Sequence, residues 1–304
     1  KVPLCARGHS ETWSRRYADR VVLDFVPTCA KIAPVEDPNI AATEHLFKAM
    51  GGPPHSTATI GRWSALGWDT TDSTNSRALQ ALKSAPQHSL DHFAIHVNEQ
   101  TAGRGQQQRA WTQEANRDLV MTLILTRNLP AAHPFALNLA ISLAVLEGIG
   151  DALPAINVDG LEIKWPNDIM WRGRKAGGVL IENSWRGSHW ASAVIGIGVN
   201  VAGAPPYPNA TPLQPEIENA AHTIENLRRS ILQRSEQRLA EMTHPQALLQ
   251  QFHQRLHGWG QLQRWQLDGH PVRGILESID IEGRLCVSEN GVKHCFSPGE
   301  VGWL

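Results

Sequence analysis

The sequence predicts an α+β protein, a mixed β-sheet backed by helices and followed by a small all-β barrel. Three observations carry this. Between residues 63 and 257, apolar strand-like runs such as "LVMTLILT" (119–126) and "ASAVIGIGVNV" (191–201) are interspersed with helical patterns. Within that region "FALNLAISLAVLEGIGDAL" (135–153) reads as a helix too apolar on every side to lie on a surface. After Trp259 the pattern changes to short strands with turn signals about every eight to ten residues, the spacing of a small barrel.

The elements follow in order. Residues 1–62 form an N-terminal extension of unknown role, in which "VVLDFVP" reads as a strand and "IAATEHLFKAM" as a helix ended by Gly51-Gly52 and two prolines. "DSTNSRALQALKSA" is a helix with Ser73 or Thr74 as N-cap and Ala78, Leu79 and Leu82 on one face. "HFAIHVNEQ" is a strand running into the loop "TAGRGQQQRAW" (101–111), which has nothing large and apolar before Trp111. "LEIKWPNDIMW", "KAGGVLIENSW" and "ASAVIGIGVNV" are strand-like pieces with glycine or polar ends. "IENLRRSILQRSEQRLAEM" is a surface helix, and "ALLQQFHQRLHGW" follows His244-Pro245. Residues 258–304 are the barrel.

A chain of 304 residues is about two domains long and buries a core without staples. Apolar residues make up 41% and charged ones 19%, as in ordinary globular proteins. Lys and Arg (28) balance Asp and Glu (29), so no global field draws nucleic acid or an anionic membrane. No apolar run approaches the roughly 20 residues of a membrane span, and the start carries no signal core. A soluble, cytoplasmic protein is expected. Four cysteines show no metal-type spacing. Cys286 and Cys295 stand symmetrically about Asn290-Gly291, a hairpin-turn dipeptide. They can face each other across the hairpin, although a cytoplasmic setting favours free thiols.

Four polar stations fall at predicted element ends: Ser73-Thr74-Asn75, Gln100 to Arg109, Lys164 to Asp168 with Lys175, and Gly196 to Asn200. Each alone has a plain explanation. The triplet caps a helix, "WPND" makes a turn, "GIGVN" is a closely packed strand, and Lys175 is a solvated lysine. Together, "DSTN", "QTAGRGQ", "KWPND", "KAGGVLIE" and "GIGVN", with the tail "SPGEVGWL", resemble the catalytic region of biotin protein ligases. The resemblance covers residues 65–304. It implies the class II synthetase-like biotin/lipoate ligase fold with a C-terminal SH3-like barrel.

The activity implied is a two-step reaction. Biotin and ATP give biotinyl-5'-AMP, and a lysine of a biotin carboxyl carrier domain then attacks it, releasing AMP. Lys175, Asp168 and Arg104 are the implied catalytic residues. Ser73, Thr74, Asn75, Gln100, Arg104, Lys175, Gly196 and Gly198 are the implied biotin site. Arg104, Gln106, Arg109, Trp111, Asn167 and Asn200 are the implied ATP site. Such residues suit the chemistry, because two anions must be brought together and guanidinium forks match carboxylate and phosphate. Gly103 and Gly105 let the loop turn its N–H groups inward and close as a lid. Mg²⁺ is expected to arrive with ATP, with no metal site made by the protein.

The chain departs from the family pattern in three places. Where the best-known lid reads Gly-Arg-Gly-Arg, Gln106 takes the fourth position, which leaves open how tightly the adenylate is held. The tail ends at Leu304 without the arginine that some relatives carry near the nucleotide. Residues 1–62 show no legible winged helix, so no DNA-binding role is expected; a homodimer is left open. Two other readings remain: a lipoate–protein ligase of the same fold, separated by ligand preference, and a non-catalytic biotin sensor, which would have no need of Lys175 and Asp168.

Overall fold

A computed structural model describes residues 47–48, 50–84 and 89–303. The strand read in "VVLDFVP" and most of the helix read in "IAATEHLFKAM" lie outside the described residues. The first sheet comprises β1 (Ser56–Ile60), β2 (Trp63–Thr71), β3 (Phe93–Gln100), β4 (Leu119–Leu125), β5 (Leu161–Lys164), β6 (Asp168–Trp171), β7 (Arg174–Arg186) and β8 (His189–Val199). Its eight strands run in the order β1-β2-β3-β4-β8-β7-β6-β5. β2 and β3 pair in parallel, because helix α1 (Thr74–Ser84) carries the chain back between them; the other pairs are antiparallel.

The sheet begins upstream of the boundary expected at residue 63. β1 pairs with β2 from Ser56↔Gly67 to Ile60↔Trp63, and of its five residues only Ile60 is buried. An edge strand exposed along most of its length has no apolar face to read. The expected single strand "LEIKWPNDIMW" is likewise two, since a turn holding a cis Trp165–Pro166 peptide separates β5 from β6.

Period-2 alternation assigns the two faces of the sheet. On one, Leu119, Met121 and Leu123 of β4 and Ile195, Ile197 and Val199 of β8 meet α2 (Phe135–Ala152), α3 (Ala220–Ala240) and α4 (Pro245–Gln254). On the other, Val120, Ile124 and Val194 meet Ala78 and Ala81 of α1. α2 is long and apolar enough to cross a membrane, but 67% of it is buried, as befits the core helix of the fold. At Gly148 of α2 an added Cβ would lie 2.7 Å from Ile231 of α3, so glycine there lets the two helices come close. Leu227, Ile231 and Leu232 of α3 point inward, and Arg228 beside them is largely buried too. Residue by residue, complete burial of such side chains is worth about 1.5–3 kcal/mol.

The second sheet is antiparallel throughout. It contains β9 (Leu262–Leu267), β10 (His270–Ile279), β11 (Leu285–Glu289), β12 (Val292–Phe296) and β13 (Val301–Trp303), in the order β12-β11-β10-β9-β13, and fits an SH3-like domain. Asn290 and Gly291 both take positive φ, as a two-residue turn with the twist of its strands requires. Cys286 and Cys295 are direct cross-strand partners and are joined by a disulfide. This differs from the free thiols favoured above, because the register sets the two sulfurs opposite each other.

The second sheet is tied to the first. Trp165 Nε1 donates to Gly283 O at 2.9 Å, and Trp303 Nε1 to Trp165 O at 3.3 Å. Ile279 N donates to His253 Nε2 of α4 at 2.9 Å.

Candidate active site

All four polar stations open into one cavity of about 800 Å³ on the α1 side of the first sheet. Every site residue singled out above lines it, and the C-terminal sheet contributes Pro298, Gly299 and Trp303. The floor comes from strand positions where alternation would otherwise put large side chains. Gly196 and Gly198 of β8 are bare at two such positions, and Thr122 of β4 lies buried behind them.

Ser73 caps α1, its Oγ accepting from Ser76 N at 3.4 Å. Thr74 and Asn75 thereby enter the pocket on the first turn of a fixed helix. Gln100, at the end of β3, takes Thr74 N on its Oε1 at 2.7 Å, and Thr74 Oγ1 lies 3.0 Å from the same oxygen. Asn75 is held on both sides, donating from Nδ2 to Glu182 Oε2 at 2.8 Å and accepting from Thr122 Oγ1 at 2.6 Å. A Cβ at Gly196 would lie 2.4 Å from Asn75 Oδ1, so this glycine makes room for the amide. At Gly198 the added Cβ would meet Trp111 Cε2 at 2.3 Å. The two glycines, grouped above as one biotin site, therefore serve different neighbours.

The loop 101–111 is a small hairpin. Trp111 N donates to Gly103 O at 2.9 Å and Gly105 N to Arg109 O at 2.8 Å, with a tight turn at Gln106–Gln108. A Cβ at Gly103 would sit 2.3 Å from Trp111 O. Arg104 Nη2 reaches across to Glu182 Oε1 at 2.6 Å, while Gln106 and Arg109 are exposed at the rim.

Opposite the lid, Lys175 of β7 and Asp168 of β6 form an ion pair at 2.6 Å. Asp168 is directly opposite Lys164 in the β5–β6 ladder, and the Lys164 ammonium stands 5.0 Å over the Trp303 ring. Burial pushes the Lys164 pKa down against the pull of Asp168, and Lys175 adds to the fall. Lys175 Nζ is also 5.7 Å from the Trp111 ring. The Asn167 side chain donates to Val179 O and that of Asn200 to Lys175 O at 3.4 Å, so both amides brace β7. Asp118 fixes the turn after Asn200 by accepting from Val201 N at 2.9 Å and Gly203 N at 3.0 Å; burial raises its pKa against these bonds.

Four residues in or beside the cavity have no role assigned from the sequence: Lys164 and Trp303, which line it, and Thr122 and Glu182, which bond the lining residues Asn75 and Arg104. Each carries a signal. Thr122 is the only polar residue within the strand "LVMTLIL", Lys164 opens "KWPND", Glu182 closes "KAGGVLIE" and Trp303 ends the tail.

The pocket as built presents paired cations, amides and hydroxyls on a glycine floor. The comparisons with known proteins point the same way. A sequence model of the Biotin/lipoate A/B protein ligase family matches residues 67–200. The chain is 32% identical over 239 residues to a biotin–[acetyl-CoA-carboxylase] ligase of Mycobacterium tuberculosis, covering 76% of this chain and 85% of that one. A ligase of the same description from Paracoccus denitrificans is 40% identical over 147 residues, 47% of this chain; the match spans 58% of the Paracoccus protein. In fold the chain is similar to the biotin protein ligase of Aquifex aeolicus solved with biotin and ATP, with a TM-score of 0.62, 21% identity and coverage of 78% of this chain and 97% of that one. A near-full-length relative at this identity, the family match over the motif-bearing strands and the shared fold lead to one conclusion: the chain belongs to the biotin protein ligase family.

Proposed function

We propose that this protein attaches biotin to a lysine of a biotin carboxyl carrier domain at the expense of ATP, through biotinyl-5'-AMP. The observation that carries the reading is the convergence of two cations, Arg104 and Lys175, on a cavity floored by the Ser73-Thr74-Asn75 turn and Gln100. In the first step the biotin carboxylate attacks the α-phosphorus and pyrophosphate leaves. Two anions must approach, so positive charge at the point of attack lowers the barrier. Lys175 faces both groups and neutralises them, while Arg104 clamps an oxyanion pair with its planar fork. Ser73, Thr74, Asn75 and Gln100 meet the ureido ring with donors and acceptors, and Gly196 leaves room for the ring beside Asn75. Trp111, standing on Gly198, offers a flat apolar wall on the nucleotide side. Gln106, Arg109, Asn167 and Asn200 complete that side.

In the second step the acceptor amine must lose a proton before it attacks. Asp168, freed when Lys175 turns to the phosphate, is placed to orient the amine and take the proton. Mg²⁺ enters on the ATP phosphates. Asp168 is the single carboxylate that lines the cavity among the described residues, and it is already paired, which fits a metal held by phosphate oxygens and water. The catalytic unit is assigned to the first sheet and its helices, now counted from residue 56, and the second sheet to a closing role over Lys164.

The test is biotin-dependent pyrophosphate release from Mg-ATP, followed by addition of a carrier domain. Release with biotin and not lipoate, then a labelled carrier, is the expected result. Release with lipoate alone means a lipoate ligase. Tight biotin binding without release means a sensor.

A further inference from the structure

Two of the cations that line the pocket, Arg104 and Lys175, each stand against a carboxylate, and only one of those carboxylates, Asp168, has a part in the reaction proposed above. The other is Glu182 of β7. Its Oε1 accepts from Arg104 of the lid at 2.6 Å, and its Oε2 accepts from Asn75 on the pocket floor at 2.8 Å. From Asn75 the chain of contacts continues inward. Thr122 Oγ1 donates to Asn75 Oδ1 at 2.6 Å and lies 2.8 Å from Thr74 Oγ1, which in turn lies 3.0 Å from Gln100 Oε1. Lid and floor are thus one hydrogen-bonded unit with Glu182 as its joint.

The chemistry of the joint calls for a carboxylate. Both neighbours are donors, and an ionised carboxylate offers two acceptor oxygens and no proton. A carboxamide of the same shape accepts on one side only, and leaves either Arg104 or Asn75 facing another N–H. The two ends of the joint differ in permanence. Thr122 is fully buried, so the Asn75 end is fixed. The Arg104–Glu182 pair is partly open, with side-chain exposures of 42% and 25%, and a pair in contact with solvent is readily exchanged for another anion.

We propose that Glu182 is a positioning residue that latches the lid. Its carboxylate holds the Arg104 guanidinium at the pocket mouth until a carboxylate or phosphate of the ligand takes it over, and the same carboxylate fixes the Asn75 amide for the ligand's polar ring. This rests on the biotin ligase reading, because the exchanging anion is taken to be biotin or its adenylate. The device parallels Lys175 and Asp168 on the facing strands, where a cation is also kept by a carboxylate until the ligand arrives.

Glu182→Gln and Thr122→Val separate the two ends of the joint. In the ligand-free protein, trypsin cleavage after Arg104 and Arg109, mapped by mass spectrometry, reads the lid. The biotin KM in pyrophosphate release reads the floor. Glu182→Gln, with its fold checked by circular dichroism, is expected to speed lid cleavage and to raise the biotin KM, each about tenfold, the change that goes with losing one hydrogen bond to a charged group. Thr122→Val is expected to raise the biotin KM and leave lid cleavage at the wild-type rate. Wild-type cleavage rates in Glu182→Gln would overturn the latch. Faster cleavage with an unchanged biotin KM would overturn the coupling to the floor. If the wild-type protein itself releases no pyrophosphate with biotin, the ligase reading fails, and the cleavage comparison still decides whether Glu182 holds Arg104.

Discussion

Lys175 and Asp168 sit 2.6 Å apart, yet the proposed chemistry divides them between the two steps. Replacing Lys175 by alanine removes positive charge from the point where two anions meet. Adenylate formation should fall by about 10²–10³-fold or more, the usual scale for one lost electrostatic contact in a preorganised site. Biotin-dependent pyrophosphate release measures it, and a normal rate in this variant would remove Lys175 from the first step. Asp168→Ala should slow transfer from preformed biotinyl-adenylate at least as much as it slows activation. Undiminished transfer would take the carboxylate out of the second step. Gly196→Ala tests the floor. Its Cβ would lie 2.4 Å from Asn75 Oδ1, and Asn75 has no room to retreat because both sides of its amide are bonded. The biotin KM should rise about tenfold, in line with loss of one well-made polar contact, whereas an unchanged KM would put biotin elsewhere.

Among the elements, α2 shows how two opposing effects are weighed. Alanine at Gly148 would favour the helix by about 1 kcal/mol through propensity. Its Cβ would also come within 2.9 Å of Ile231 backbone atoms in α3, and overpacking costs about 1–3 kcal/mol. Backbone cannot swing aside as a side-chain tip can, so overpacking wins. Gly148→Ala should therefore lower the midpoint of thermal unfolding by a few degrees, at roughly 2–4 °C per kcal/mol for chains of this size; a raised midpoint would show that the helices part freely. The lid lies at the other extreme. It is joined to the rest of the fold by a few backbone bonds and one partly exposed ion pair, which suits the closing movement proposed for it.

The molecule as a whole should respond to acid through histidines that fold neutral. His96 of β3 takes Arg228 of α3 on its Nδ1 at 2.7 Å, and burial, Arg228 and His55 together push its pKa down to about 3. His253, at the junction of the two sheets, is also lowered, mainly by burial. A group with a lowered folded pKa is protonated more readily when unfolded. Its stabilising contribution is complete above the unfolded value near 6.5 and is lost as pH falls from there toward the folded value. For His96 the window runs from about pH 6.5 to about 3, with a slope of at most about 1.4 kcal/mol per pH unit. Urea midpoints taken across pH 4–7 should fall with acidification, and His96→Gln should flatten the slope. Equal slopes in the two proteins would mean that His96 is not a source of the acid sensitivity.

The sequence by itself determined the elements whose apolar pattern faces one core: β4, β8, the buried helix α2, and the change to short strands after Trp259. It also determined the residue types that gather in the cavity, since lysine, arginine, amides and glycines at strand ends announce themselves in the chain. Only the tertiary structure decided which of these touch. β1 is not legible in the sequence because an exposed edge strand has no periodic apolar face, and with it the sheet starts at residue 56. Thr122 reads as one polar residue on an apolar strand, and Glu182 as the first of a polar run, Glu182-Asn183-Ser184, at the exposed end of β7. Their importance depends on neighbours far along the chain, Asn75 at the start of α1 and Arg104 in the lid. Local pattern is written in consecutive residues, whereas a hydrogen bond between strands depends on register, and register is settled only when the whole sheet has packed.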